Sequence, residues 1–344
     1  MKIGILSSGG DCPGINAAIR GVGKTAINHY GMEVIGLNSG FLGLLNKDII
    51  SLDDNALSGI LNLGGTILGT SREKTFRTQL DEDERNVETL KKNYHELGLD
   101  CLVCIGGNGS QKRAYKLSEL GLNIIGIPKT IDNDVLGTDV SFGFDTAVDI
   151  ATEAIDRLHS TASSHNRVMV IELMGHDAGW ITLHAGMAGG ADVILLPELG
   201  FDIDSIANTV LARVQKGKRY SIIAVAEGVN IGKENEKKHK HPATYIAEKI
   251  EELTKIESRE TVLGYVQRGG HPSAFDRNLA TLFGGHATEL INRKDFGRMV
   301  CMKKGEITST SLAKVAGKLK RIEPNNNLLL QGKRIGISFG NGQS

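Results

Sequence analysis

The chain has 344 residues, enough to bury a sizeable core and to divide into two domains. Forty Lys and Arg balance forty Asp and Glu, and this neutrality argues against a nucleic-acid partner, whose phosphates call for clustered positive charge. No apolar run reaches the roughly 18 residues of a membrane span, and MKIGILS opens on a strand without a charged-then-apolar leader, so the expectation is a cytoplasmic protein with no membrane partner.

From the first residue onward, short apolar runs alternate with longer amphipathic ones. The expected strands are KIGILS (2–7), EVIGL (33–37), DCLVCI (100–105), NIIGI (123–127), RVMVIEL (167–173), DVILL (192–196), YSIIAVAE (220–227) and TVLGYV (261–266). Between them RNVETLKKNYHELG, TAVDIATEAIDRLHS, SIANTVLARVQKG and TYIAEKIEEL carry helical periodicity. Several of the apolar runs do not alternate, as expected for parallel strands covered on both faces. The pattern predicts an α/β fold of βαβ units with mainly parallel sheets, without short repeats or low-complexity linkers.

Glycine is abundant, 43 against 6 prolines, and its placement points to function. SSGGDCPG, NLGGTILGTS, IGGNGS, MGHDAG and VQRGG each follow an apolar run. In open α/β sheets ligands bind outside the carboxyl ends of the strands, where glycine lets backbone N–H groups approach a phosphate. PKTIDND (128–134) sits at such an end and packs a lysine, a threonine and two carboxylates into one turn.

Three other patterns carry less. AAIRGVGKT (17–25) matches a loose phosphate-loop pattern with Ala18 for the first glycine, but GKT falls about two turns into a helix beginning near Ile15. Cys101 and Cys104 form a C-x-x-C inside an apolar run, where a buried strand is the expected role and no second cysteine pair supports zinc. GKENEKKHKH reads as a solvated loop, and its His239 and His241 lack further ligands nearby.

In order, SSGGDCPGINAAIRG, GGNGS, PKTIDND, SSHNR, MGHDAG, AEG and VLGYVQRGGHP resemble the phosphofructokinase family, from about residue 2 to about 290. The resemblance implies transfer of a phosphoryl group from ATP, or in some members pyrophosphate, to the 1-hydroxyl of fructose 6-phosphate. It also implies Mg²⁺, a homotetramer, and two α/β domains between which the chain crosses: 1–143 with about 267–317 for the phosphoryl donor, and 144–266 with about 318–344 for the sugar phosphate and the subunit interface. Asp132 matches the general base, with Thr130, Arg72 and Lys129 around the moving phosphoryl. Gly10, Arg72, Glu73, Gly107, Asn108, Gly109 and Ser110 match the donor site, and Asn108 with Asp134 the metal positions. The implied substrate residues are Thr130, Ile131, Asp132, Arg167, Met174, Gly175, His176, Glu227, Arg259, Tyr265, Val266, Gln267 and Arg268. Of these the family contributes Arg167 and Arg259 from a neighbouring subunit.

The chain departs from the family pattern in places. Asn108 replaces a metal-binding Asp, His176 a frequent Arg, and Tyr265 a frequent His. Gly109 leaves the space of a nucleotide α-phosphate open, where pyrophosphate users carry Asp. Lys129 stands where ATP users usually have Gly, and Arg113 replaces a small residue on the nucleotide-binding helix, so pyrophosphate remains the alternative donor. A homologue that binds sugar phosphate without turnover is the other alternative. Arg20, Lys24, Lys216 and Lys218 match basic positions of the family's effector site, with His159 in place of an Arg.

Overall fold

The computed structural model describes residues 1–71 and 84–342. Its fold divides into two compact units, one of Met1–Thr146 with Arg268–Lys320, the other of Ala147–Gln267 with the chain from Arg321 on.

The first unit holds a seven-stranded sheet of β1 (Lys2–Ser8), β2 (Glu33–Leu37), β3 (Ile49–Ser51), β4 (Cys101–Gly106), β5 (Ile124–Pro128), β10 (Arg298–Lys303) and β11 (Glu306–Ser311). Their order is β11-β10-β5-β4-β1-β2-β3. The central strands β1, β4 and β5 are parallel and buried along almost their whole length, which is why their sequences run apolar without alternation. Leu6, Leu37, Phe41, Leu102, Ile124, Met299 and Leu312 share one core. Each fully buried side chain of this kind contributes roughly 1.5–3 kcal/mol. The second unit holds β6 (Val168–Leu173), β7 (Val193–Leu195), β8 (Ser221–Ala226) and β9 (Ser258–Val262) in the parallel order β7-β8-β6-β9. Val170, Leu195, Ile206, Ile223 and Ile246 belong to its core.

Three strands escape the periodicity argument, and one expected strand is cut short. β3 is only three residues long, and β10 and β11 form an antiparallel edge hairpin whose outer strand is half-exposed. Their turn is Lys304–Gly305, with φ of 53° and 82°, the paired positive values of a two-residue hairpin turn. TVLGYV does not stay extended: β9 ends at Val262, and Gly264, at φ 57°, starts a 3₁₀ turn over Gly264–Arg268.

The phosphate-loop look-alike is packing. Gly21 and Gly23 lie in the helix Ile15–Tyr30, where a Cβ would meet Thr281 O at 2.8 Å and Leu57 Cδ1 at 2.4 Å, and Lys24 pairs with Asp54. Cys101 and Cys104 are buried in β4, and burial pushes both thiols up. His241 bonds the buried Glu172 at 2.8 Å, and His239 lies 3.8 Å from Glu248. Among the described residues no helix is long and apolar enough to cross a membrane.

Where the chain first leaves the first unit, Asp276 fastens it. Its Oδ2 accepts from Thr146 N at 2.9 Å and Thr146 Oγ1 at 2.5 Å, and Thr146 Oγ1 accepts from Ser273 N at 2.9 Å. Burial pushes the Asp276 carboxyl up to about 6.

Candidate active site

Three turns at strand ends meet in the first unit. After β1 the chain turns through Gly9 and Gly14, both at positive φ, into the helix Ile15–Tyr30. A Cβ on Gly14 would lie 2.9 Å from the Phe142 ring, so the turn admits no larger residue without a shift. Thr70 Oγ1 donates to Gly9 O at 2.6 Å and Ser7 Oγ to Gly69 O at 2.9 Å, which anchors the approach to GTSR. Arg72 and Glu73 themselves lie outside the described residues.

After β4, Gly107 leads into the helix Asn108–Glu119, which no side chain caps. Gly106 is glycine for a packing reason, since a Cβ there would sit 2.3 Å from Ser110 Cβ. Ser110 Oγ donates to Ser8 O at 3.2 Å and so joins the turns after β1 and β4. Gly109 is different: a Cβ there would meet nothing within 4 Å. Gln111, which sequence reasoning missed, donates through Nε2 to Gly106 O at 2.9 Å and Ile127 O at 3.0 Å, tying together the ends of β4 and β5. Its signal was weak, a polar residue one place after the glycine motif.

PKTIDND follows β5. Thr130 Oγ1 accepts from Asp132 N at 3.0 Å, and Ser141 Oγ donates to Thr130 O at 2.9 Å. Asp132 is only 9% exposed, so its carboxylate is largely shielded from bulk water. Ile131 is fully buried, which leaves its backbone rather than its side chain for a ligand. Asn133 adopts φ 50°, and Asp134 is half-buried. Lys129 is 2% exposed and donates to Gly10 O, behind the first glycine turn. Burial pushes its ammonium below the usual lysine range, against the pull of the Asp11 and Asp132 carboxylates. Arg268 belongs to this unit too, with Nη1 donating to Asp11 O at 3.2 Å and Nε buried without a hydrogen bond among the described residues.

The second unit carries the remaining positions. β6 runs into Met174-Gly175-His176, where Gly175 has φ 152° and a Cβ would meet Ala178 O at 2.4 Å. Glu227, at the end of β8, holds this turn: its Oε1 accepts from Gly175 N at 3.1 Å and His176 N at 2.8 Å. Gln267 is fully buried, accepting from Met174 N at 3.2 Å and donating to Gly264 O at 3.1 Å, so it supports the turn instead of facing solvent. Tyr265 and Val266 are 72% and 59% exposed. Arg167 and Arg259 converge on one carboxylate that sequence reasoning passed over. Arg167 Nε donates to Glu257 Oε2 at 2.6 Å, and Arg259 pairs with Glu257 Oε1. The Arg167 hydrogen bond, more than any other cause, holds the Glu257 carboxyl below its usual range.

The chain is similar to known proteins along most of its length. The family model described as "Phosphofructokinase" matches residues 2–291. "ATP-dependent 6-phosphofructokinase 3" of Bacteroides thetaiotaomicron is 62% identical over 341 residues, covering 99% of this chain and all of the relative. The "ATP-dependent 6-phosphofructokinase" of Spirochaeta thermophila is 52% identical, with 98% of this chain and 97% of the relative covered. Among solved structures, the pyrophosphate-dependent phosphofructokinase of Nitrosospira multiformis superposes with a TM-score of 0.85, covering 100% of this chain and 92% of that one. At 24% identity that likeness speaks for the fold alone.

Proposed function

We propose that the chain, which belongs to the phosphofructokinase family, transfers a phosphoryl group from ATP to the 1-hydroxyl of fructose 6-phosphate, giving fructose 1,6-bisphosphate in glycolysis. The observation that carries this reading is a pair of turns on neighbouring parallel strands. Gly106 of β4 lies opposite Pro128 of β5, so the glycine turn 107–110 and the turn 129–134 emerge side by side. A phosphate cradle then stands next to a shielded carboxylate, the pairing that phosphoryl transfer to a hydroxyl uses. ATP is the donor in the named relatives, and the open space at Gly109 suits a nucleotide.

In this reading Asp132 takes the proton of the 1-hydroxyl as its oxygen attacks the terminal phosphorus of ATP. The new P–O bond forms as the bond to the ADP oxygen breaks, and ADP leaves with the electron pair. Thr130 hydrogen-bonds the moving group; Gly10, Gly107, Asn108, Gly109 and Ser110 cradle the donor phosphates; and Arg72 and Lys129 add positive charge. The oxygen donors of Asp134 and Asn108 fit Mg²⁺, a hard cation. No group of three or more His, Cys, Asp and Glu among the described residues could hold a metal, so Asp134 and Asn108 would hold such an ion only together with donor phosphates and water. When bound, Mg²⁺ supplies charge neutralisation at those phosphates.

The unit with the seven-stranded sheet is the donor domain in this proposal, and the other the sugar-phosphate and subunit-interface domain. Met174, Gly175, His176 and Glu227 line the sugar, and Arg167, Arg259 and Arg268 neutralise its phosphate bidentately, as guanidinium groups do. Arg167 and Arg259 act across a subunit boundary in a cytoplasmic homotetramer; the exposed Tyr265 and Val266 of the same unit support such a boundary. The test is Asp132→Asn. Its kcat falls by about 10²–10⁴, the range for loss of a general base, while calorimetry finds fructose 6-phosphate bound within a few-fold of wild type. An unchanged kcat removes Asp132 from this role.

A further inference from the structure

We propose that Lys320 is a positioning residue for phosphoryl transfer, holding the turn that carries Asp132 from a segment far away in the sequence. The inference rests on the reading of Asp132 as the base. Lys320 is the last residue of the first unit before the chain returns to the second. Its backbone N–H donates to Asp134 O at 2.8 Å. Its Nζ donates to Asn133 Oδ1 at 2.9 Å, to Thr138 O at 3.0 Å and to Asp139 O at 2.9 Å. The three protons of the ammonium thus match three oxygen acceptors on a single loop, and the main chain adds a fourth bond. Leu319, just before it, bridges Val135 of the same loop.

Asn133 passes this hold on to the base. It sits directly after Asp132 at φ 50°, a conformation that Asn tolerates better than most residues but that needs support from its surroundings. The support is its own amide: Oδ1 accepts from Ser141 N at 3.1 Å as well as from Lys320. Ser141 Oγ in turn donates to Thr130 O at 2.9 Å, and Thr130 Oγ1 accepts from Asp132 N at 3.0 Å. Lys320, Asn133, Ser141 and Thr130 therefore form a chain of bonds that ends on the backbone of Asp132. The loop has a second fastening, in which Met302 N donates to Thr138 Oγ1 at 3.0 Å and Asp139 N to Met302 O at 2.8 Å. That one secures residues 138 and 139 to β10, whereas Lys320 alone of the two reaches Asn133 and Asp134.

The experiment compares steady-state kinetics of Lys320→Met, Lys320→Gln and Asp132→Asn in the full chain, with thermal melts of each. Lys320→Met keeps the length and removes all three side-chain donors. Its kcat falls about ten- to a hundredfold, since a displacement of about 1 Å at the reacting atoms has effects on that scale, while KM for fructose 6-phosphate and ATP moves less than about threefold. Lys320→Gln, with an amide able to reach Asn133, recovers part of the kcat, and it carries the comparison if the Met variant does not fold. In Lys320→Ala, added methylammonium raises kcat with saturation. A folded Lys320→Met enzyme with kcat within about twofold of wild type overturns the inference, as does a loss that amines do not rescue and that lies wholly in KM. If Asp132→Asn loses kcat and Lys320→Met does not, the positioning role alone fails. If Asp132→Asn keeps wild-type kcat, the base reading fails first.

Discussion

Replacing Gly109 by Asp separates space from charge at the proposed donor site. A Cβ at Gly109 meets nothing within 4 Å, so the side chain enters without a clash. Residue 109 lies in the first turn of the helix Asn108–Glu119, where trading Gly for Asp favours the helix by roughly 0.5–1 kcal/mol through backbone entropy and the macrodipole. The fold therefore stays intact or gains slightly, and any lost activity is local. A carboxylate about 4 Å from the phosphate nearest the nucleoside is repelled by about 4 kcal/mol at an effective dielectric of about 20. That corresponds to roughly a 10³-fold fall in kcat/KM for ATP, since about 1.4 kcal/mol is tenfold. The assay is coupled detection of fructose 1,6-bisphosphate over a range of ATP, with a melting curve and calorimetric binding of fructose 6-phosphate as controls. A folded Gly109→Asp enzyme whose kcat/KM for ATP stays within about tenfold of wild type would refute the placement of the donor over this turn.

Glu257→Gln frees two guanidinium groups from a carboxylate that, in the proposed reading, competes with the sugar phosphate. Exposed pairs of this kind are weak, so KM for fructose 6-phosphate should fall by no more than about fivefold; a rise in KM means that Glu257 orients the arginines instead. Asp276→Asn addresses pH. The folded carboxyl titrates near 6 against an ordinary 3.8, so the folded chain holds a proton that the unfolded chain has already lost. Stability from this group is fully present below about 4 and falls as pH rises through 6, by up to about 3 kcal/mol. The Asn variant lacks this slope, and melts at pH 4.5 and 7.5 should show a smaller drop than wild type; parallel drops count against the buried carboxyl.

The strand ends were legible because parallel strands buried on both faces read as unbroken apolar runs, and the polar residues after them stand out. Asp132, Asn108 and the glycine turns were located in that way. What holds those turns in place was not legible. Gln111, Ser141 and Lys320 act through bonds to backbone oxygens and to one amide, at separations of 5 to 187 residues, and no local period marks such partners. The edge hairpin of β10 and β11 was missed for the opposite reason: its outer strand is half-exposed, so the pattern blurs although the fold is regular. Gln267 shows what a motif leaves out, since its position follows the family pattern while its side-chain bonds to Met174 N and Gly264 O carry no sequence signal.

Lys129 and Gly109 pointed to different donors as letters in a sequence, and the place of the Lys129 side chain bears on that conflict. A lysine selective for pyrophosphate should present its ammonium to the end of a short donor. Here the side chain is buried, and its Nζ is held on Gly10 O behind the glycine turn that follows β1. In the proposed reading its charge, at low effective dielectric, acts on the donor phosphates through the turn it braces. Such a lysine, in that reading, favours any phosphoryl donor in the cradle and discriminates little between them. Discrimination, in the same proposed reading, then falls to the space at Gly109, which is open, in keeping with the ATP-dependent names of the relatives that share most of the chain.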